Sequence, residues 1–394
     1  MKNRKRTLAL LLCLALTVSL CACGGVTADP TGGTASPDPS QNYGAVSSPD
    51  PSAASTIEAD LTQDAVAFST GLSPADVLLT VNGTDIPADL FLYWLFQSCY
   101  YFEYSYYYYG VTVAGFAEML LEDTVNSAVY YTVLRQRAAE LGCLPTDAQV
   151  KGAMDELLAE GPEYYENLKA AYGLSDESID YLTTLSLYYD NLLDALVPTA
   201  TEEMLNSYVY HVKHILLKTV DDQNQPLGDD EIADRKAQAE DILARLQAVE
   251  GEERLALFDE LMKEYSQDGR DENGDLYAPD GYTAVPGNMV AEFEEASFAL
   301  PIGGLSGIVE SSYGYHIILR GEVPEDEIGN YTDACRAYQL DSGMKPLLDE
   351  AEVVRADALD ALDVAGFYQR YTAYQTAVME QYHAGLEGGG DAAG

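Results

Sequence analysis

VKHILLK at residues 212–218 and GYHIILR at residues 314–320 are near-twin apolar segments, and each carries a histidine in a strand-like run. The chain has 4 histidines, so two of them in matching segments, His214 and His316, stand out. A buried imidazole must find a hydrogen-bond partner. Either histidine alone would be interpreted as a satisfied core residue. His211 and His383 are interpreted as surface or interface residues without an assigned role.

Three further motifs lie in order between the two segments. YSQD ends on Asp268, NGDL ends on Leu276, and GNMVAEFEEASF carries Met289 and Phe293. The two hydrophobic residues of the last motif are four apart, so plain core packing competes with a role in a ligand pocket.

This ordered set resembles the parvulin-type peptidyl-prolyl isomerases, over residues 208–322. Over the whole chain the sequence is similar to PrsA/SurA-type foldases, in which helical chaperone segments precede and follow the isomerase domain in sequence. The resemblance implies an α+β fold: a parvulin-like antiparallel sheet with flanking helices, and a mostly helical domain built from N- and C-terminal segments. It also implies that His214 and His316 lie on neighbouring central strands.

The resemblance further implies the site. Its catalytic residues would be His214, Asp268, His316 and Ser311, which fix the electrostatics around a twisted amide. Leu276, Met289, Phe293 and Tyr282 would line the proline cup. Because isomerisation breaks no covalent bond, no metal, nucleophile or cofactor is expected.

One position departs from the family pattern. Counting back from Met289, the aromatic residue of the family's pocket falls on Ala284, and the loop from Leu276 to Met289 is longer than in compact members. Tyr282 or Tyr313 could supply the missing ring. Without one, the cup would be shallow and turnover low.

The N-terminus reads as an export signal. MKNRKR is followed by an apolar run from Leu8 to Leu20 and then by Leu-Cys-Ala-Cys, which resembles the lipobox of bacterial lipoproteins. Residues 1–22 are predicted to be removed and Cys23 lipidated; the alternative is an ordinary signal peptide cut nearby. Residues 23–74, which contain SPDPS twice, are predicted to be a flexible tether.

Composition excludes several classes of protein. With 65 Asp and Glu against 21 Lys and Arg, the formal net charge is −44, and phosphate backbones would repel such a chain. Nucleic acid is therefore not an expected partner. Cys99, Cys143 and Cys335 are scattered without metal-ligand spacing, and are interpreted as small buried hydrophobic residues.

The periodicity predicts a helical domain over residues 75–205, opened by a hairpin around Asn82-Gly83. The parvulin-like domain covers residues 206–323. Residues 324–394 form a C-terminal helical segment expected to dock on the N-terminal domain, with a disordered tail. The aromatic run from Phe91 to Tyr109 is either a client-binding surface or intramolecular packing.

The sequence therefore predicts an isomerase and foldase on the extracytoplasmic face of the cell membrane, held by the lipid on Cys23. Its partners would be unfolded or partly folded secreted polypeptides with X–Pro bonds, and a homodimer stays open. The alternative is a non-catalytic chaperone that keeps the parvulin fold as a peptide-binding module. A solute-binding lipoprotein is disfavoured because repeated parallel-strand units are absent from the pattern.

Overall fold

The computed structural model describes residues 57–106, 110–159, 161–221 and 223–388. Cys23, the signal segment, most of the tether and Tyr107 to Tyr109 lie outside the described residues. The chain divides into two compact units, one formed by residues up to Leu196 together with those from Gly343 onward, the other by Val197–Ser342. The second boundary falls inside a helix, not at the predicted residue 323. Within the described ranges, no helix has the length and apolarity to cross a bilayer.

The first unit combines helices with a small antiparallel sheet. The strands of this sheet are β1 (Val77–Val81), β2 (Thr84–Pro87) and β7 (Val353–Arg355). Their order in the sheet is β2-β1-β7, and Asn82 and Gly83 adopt positive φ at the β1–β2 hairpin, as predicted. Its helices are α1 (Ala65–Thr70), α2 (Ala88–Tyr106), α3 (Ala117–Glu140), α4 (Asp147–Leu158), α5 (Pro162–Tyr172), α6 (Asp176–Leu196), α13 (Asp357–Asp360) and α14 (Val364–Gly388), with a 3₁₀ turn at Val113–Phe116.

The predicted tether ends too late. Ala65 and Val66 of α1 are fully buried, although they belong to the range 23–74. Asp64 caps this helix by accepting from the Ala67 amide at 2.8 Å, and Gly71 ends it with φ of 78°. A six-residue helix has too few turns to show periodicity, so only the cap residues could have revealed it.

Aromatic side chains fill the core of the first unit. The rings of Phe96 on α2 and Tyr371 on α14 lie 4.9 Å apart, and the Tyr371 hydroxyl donates to the Tyr172 carbonyl at 2.6 Å. Phe91, Phe96, Phe367 and Tyr371 are all essentially buried. Most of the described part of the aromatic run therefore packs within this unit, whereas Tyr100 and Tyr104 are exposed.

The second unit is α+β. Its strands are β3 (Tyr210–Lys218), β4 (Tyr282–Ala284), β5 (Leu305–Ser311) and β6 (Gly314–Gly321). They form a four-stranded antiparallel sheet with the order β4-β3-β6-β5. Its helices are α7 (Glu202–Tyr208), α8 (Asp229–Gln247), α9 (Gly251–Tyr265), α10 (Ala291–Ala299), α11 (Glu325–Ile328) and α12 (Thr332–Asp349, which continues into the first unit), with a 3₁₀ turn at Gly329–Tyr331.

Strand alternation separates two cores on the faces of this sheet. Ile215 of β3 and Ile317 of β6 pack against α8 and α9, whereas Val212 and Ile318 face α10. His214 and His316 have the parity of Val212 and Ile318. Both histidines therefore lie on the α10 face.

Candidate functional site

The two histidines meet at the centre of the sheet. β3 pairs with β6 so that His214 stands opposite Ile318 and Leu216 opposite His316, which makes the histidines diagonal neighbours. Their Nδ1 atoms lie 3.2 Å apart and their rings stack at 5.5 Å between centroids. The imidazoles are almost fully enclosed, with 8 % of His214 and 4 % of His316 exposed.

Hydrogen bonds extend this pair in both directions. His214 Nε2 lies 3.1 Å from Asp268 Oδ2, which also accepts from the Tyr282 hydroxyl. On the other side, His316 Nε2 lies 2.7 Å from Ser311 Oγ, which accepts from the Tyr313 amide at 3.2 Å. Tyr282, Asp268, His214, His316 and Ser311 thus form one continuous chain, called the polar network below.

Local structure explains how distant residues reach this network. α9 ends at Tyr265, and Gln267 then joins the edge of β3 by donating to the Leu216 carbonyl at 2.7 Å. This contact brings Asp268 alongside His214. Ser311 ends β5 directly before the turn into β6.

Phe293 of α10 forms a wall of the site. Its ring meets both imidazoles edge-on, with centroid distances of 5.0 Å to His214 and 5.3 Å to His316. Phe293 is 3 % exposed, so it serves as a core residue and a wall at once. Met289 precedes the helix and packs, partly buried, on the same cluster.

Leu276 lies elsewhere, and its predicted place in the cup is wrong. It packs on the core between the sheet and α8 and α9, on the opposite face from Phe293. The loop after Asp268 folds back through a bridge between Arg270 and Leu276, which turns this side chain towards the helices.

Tyr282 and Ala284 also take unexpected places. The Tyr282 hydroxyl is engaged by Asp268, so this residue belongs to the polar network and presents its ring to His214 at 5.7 Å. Ala284 is 2 % exposed and pairs with Tyr210, whose ring is fully buried beside Phe298. Tyr313 is exposed and meets the site only through its amide.

The environment sets the charges of the network. Burial and then the neighbouring His214 lower the pKa of His316 to about 4, against a smaller opposite effect of Asp268. Burial raises the pKa of the Asp268 carboxyl, but hydrogen bonds from His214 and Tyr282 outweigh it and leave the pKa below its usual value. Burial and then the bond to Asp268 raise the pKa of Tyr282. At neutral pH the network contains a carboxylate, a phenol and a neutral His316.

Two proton arrangements satisfy every contact. Because a carboxylate only accepts, His214 carries its proton on Nε2. With a neutral His214, His316 donates from Nδ1 to His214 and accepts from the Ser311 hydroxyl. With a protonated His214 the Nδ1 proton belongs to His214, and His316 donates from Nε2 to Ser311. One added proton therefore reverses the role of Ser311 towards His316.

No group of three or more His, Cys, Asp or Glu side chains suited to an ion occurs in the described ranges.

Comparison with known proteins agrees with the architecture. The model of the PPIC-type PPIase domain family matches residues 198–322. This region is a parvulin-type domain, in a chain that is PrsA/SurA-like. The α+β fold with a parvulin-type domain and the foldase relationship, both predicted from the sequence, are confirmed.

Two PrsA relatives align over lengths well beyond that of the parvulin-type domain. Foldase protein PrsA of Caldanaerobacter subterraneus subsp. tengcongensis is 29 % identical over 259 residues, or 62 % of this chain and 71 % of the relative. Foldase protein PrsA 2 of Bacillus cereus is 28 % identical over 51 % of this chain and 62 % of its own length. Chaperone SurA of Chromobacterium violaceum is 36 % identical over 28 % of this chain and 22 % of the relative. The crystal structure of PrsA from Bacillus cereus aligns at 20 % identity with a TM-score of 0.32, covering 78 % of this chain and 93 % of that one.

Proposed function

We propose that the chain is a peptidyl-prolyl cis–trans isomerase and foldase that assists the folding of secreted polypeptides with X–Pro bonds. The observation that carries this proposal is the polar network packed against the ring of Phe293. In it, the partly exposed Asp268 carboxylate and Ser311 hydroxyl flank two imidazoles and a phenyl ring that are nearly fully buried.

The reaction makes limited demands on the protein. The barrier to rotation about the peptide bond is about 18–20 kcal/mol, because twisting removes amide resonance. Water favours the planar amide, whose resonance form separates charge. An apolar, preorganised site therefore favours the twisted amide over the planar one.

The described residues meet these demands in separate ways. Phe293 and Met289 supply the apolar surface for a proline ring. Asp268 and Ser311 are partly exposed and can face the amide, whereas the imidazole nitrogens are committed to one another and to these two groups. In the arrangement with a protonated His214, Ser311 can direct its own proton to the substrate carbonyl. His214 and His316 then position Asp268 and Ser311, and these two side chains contact the substrate.

Charge adds a preference among clients. The chain carries a net charge of −44, so positively charged unfolded segments are attracted and acidic ones repelled. This preference should weaken as salt screens the surface charges.

Exchange spectroscopy on a short X–Pro peptide tests the activity directly. Catalytic amounts of the full chain should broaden or exchange the cis and trans signals, with faster turnover for a peptide with Lys before proline than for one with Glu. No acceleration of either peptide by folded protein would refute the isomerase.

The non-catalytic chaperone remains a second candidate because of Ala284. The position of the family's pocket aromatic is a buried alanine, and the Tyr282 phenol is turned to Asp268. A holdase would suppress aggregation of a reduced, unfolded client without accelerating peptide isomerisation. The isomerase proposal expects both effects from the same protein.

Membrane anchoring through Cys23 stays a sequence-based proposal. The lipid would hold the chain on the extracytoplasmic face of the cell membrane. Metabolic labelling with a fatty acid should tag the natural chain and not Cys23→Ala. Equal labelling of the two would contradict the anchor.

A further inference from the structure

Asp268 and Tyr282 bond each other from the two ends of one segment of chain. Both ends of this segment must therefore be held in place. The first half is held by Arg270, whose guanidinium donates to the carbonyls of Lys263, Ser266 and Gly274 at 2.7–3.2 Å. These bonds tie the start of the segment to the end of α9. They do not hold the other end of the segment, where the chain enters β4.

His211 holds this second end of the segment through two hydrogen bonds. Its Nε2 lies 2.9 Å from the Asp280 carbonyl and its Nδ1 lies 2.9 Å from Thr283 Oγ1. A carbonyl only accepts, so Nε2 carries a proton; in the neutral ring Nδ1 then accepts from the Thr283 hydroxyl. The imidazole therefore bonds to residues on both sides of Gly281 and Tyr282.

Gly281 shows how closely the turn lies on β3. Its φ is 101°, and a Cβ there would stand 2.5 Å from the Val212 carbonyl and 3.0 Å from His211 Nε2. Only glycine fits between the strand backbone and the imidazole. The next residue, Tyr282, pairs with Val212 in the β3–β4 ladder.

We propose that His211 is a positioning residue that sets the Tyr282–Asp268 end of the polar network from the opposite face of β3. It sits three residues before His214 on the same strand and touches neither the histidine pair nor the proposed substrate surface. By fixing Asp280 and Thr283, it fixes the direction in which the Tyr282 hydroxyl leaves β4. The role in turnover rests on the proposed isomerase function, whereas the role in positioning does not.

Titration of the Asp268 carboxyl carbon by NMR in the full chain gives a readout independent of catalysis. His211→Leu should raise the pH at which the Asp268 carboxyl is half titrated, because the Tyr282 hydroxyl would then donate to the carboxylate with poorer geometry. His211→Gln, which retains an amide donor for the Asp280 carbonyl, should restore most of the natural midpoint. Lys236→Leu, on the exposed side of α8, serves as the control.

Turnover provides the second readout. His211→Leu should lower kcat/KM by about twofold to tenfold, the range for one weakened hydrogen bond, with recovery in His211→Gln. If His211→Leu fails to fold, Thr283→Val removes one of the two contacts and should shift the Asp268 midpoint in the same direction. An unchanged midpoint in folded His211→Leu, or in Thr283→Val, would overturn the proposal. Absence of isomerase activity in the natural chain would instead refute the proposed function and leave the titration result valid.

Discussion

At the scale of single residues, a buried neutral imidazole makes stability depend on pH. The pKa of His316 is lowered to about 4 from an ordinary value near 6.5. Between those values the unfolded chain binds the additional proton, so stability is fully present above about pH 6.5 and falls as pH decreases towards about 4. The expected slope is about 1.4 kcal/mol per pH unit for one proton.

Hydrogen exchange in β3 and β6, measured between pH 7 and 4 and corrected for intrinsic rates, would show this slope. His316→Gln should be less stable at pH 7 but flatter across the window. Equal slopes for the natural chain and the variant would contradict a buried neutral His316.

Substitution of Ala284 by phenylalanine tests whether an added aromatic ring would complete the proline cup. It is buried opposite Tyr210, in a cluster that also includes Phe293. Ala284→Phe would overpack this cluster and should cost about 1–3 kcal/mol without increasing turnover. Denaturant unfolding measures the cost, and Ala291→Phe, at an exposed position, should be close to neutral. A stable and faster Ala284→Phe would show that the cup lacks a wall.

Single residues also show what could be inferred from the sequence. His214 and His316 are brought together by the strand pairing that the twin segments already indicated, whereas Asp268 reaches them from the loop after α9 and Ser311 from the end of β5. Leu276 could not be placed, because its face depends on how a long loop folds back. His211 carried no signal, since its partners lie about 70 positions away in sequence.

At the scale of elements, α10 is fixed by a buried arginine. Arg320 of β6 is 8 % exposed, and its Nη1 donates to the carbonyls of Ser297, Phe298 and Leu300 at 3.0–3.1 Å. These carbonyls lie at the C-terminal end of the helix that carries Phe293. The guanidinium thus positions a wall of the proposed cup from outside it.

Arg320→Met keeps the apolar stem but leaves the helix carbonyls without this donor, which should cost about 2 kcal/mol or more. Arg320→Lys should recover only part, because an ammonium lacks the planar fork. Thermal unfolding and hydrogen exchange of α10 measure the effect, with Lys236→Met as the surface control. Faster exchange confined to other elements would argue against this anchoring.

Short elements were the ones that sequence patterns missed. β7 has three residues, and its pairing of Thr80 with Val354 joins positions far apart in the chain. Long helices such as Asp176–Leu196 are easier to predict, because local periodicity determines them.

At the scale of the whole molecule, the first unit depends on both ends of the chain. Tyr371 of α14 is fully buried against Phe96 and Tyr172, which precede the parvulin-type domain, and the fully buried Phe367 packs on Tyr371. A chain ending at Glu350 would lose these rings, each worth about 3–5 kcal/mol in a core. We expect loss of cooperative unfolding as followed by fluorescence of Trp94. A chain shortened only by residues 389–394 is the control, and unchanged unfolding of the longer truncation would contradict this dependence.

The central prediction for the proposed isomerase is that turnover depends on the polar network. The decisive measurement is the rate of cis–trans exchange of a Lys–Pro peptide with the full chain and with its variant carrying His214→Ala, Asp268→Ala and His316→Ala together. We predict that the variant loses at least about tenfold in kcat/KM, whereas Asp275→Ala, in the same loop as Asp268, retains the natural rate. A folded triple variant with unchanged kcat/KM would contradict the assignment of the site.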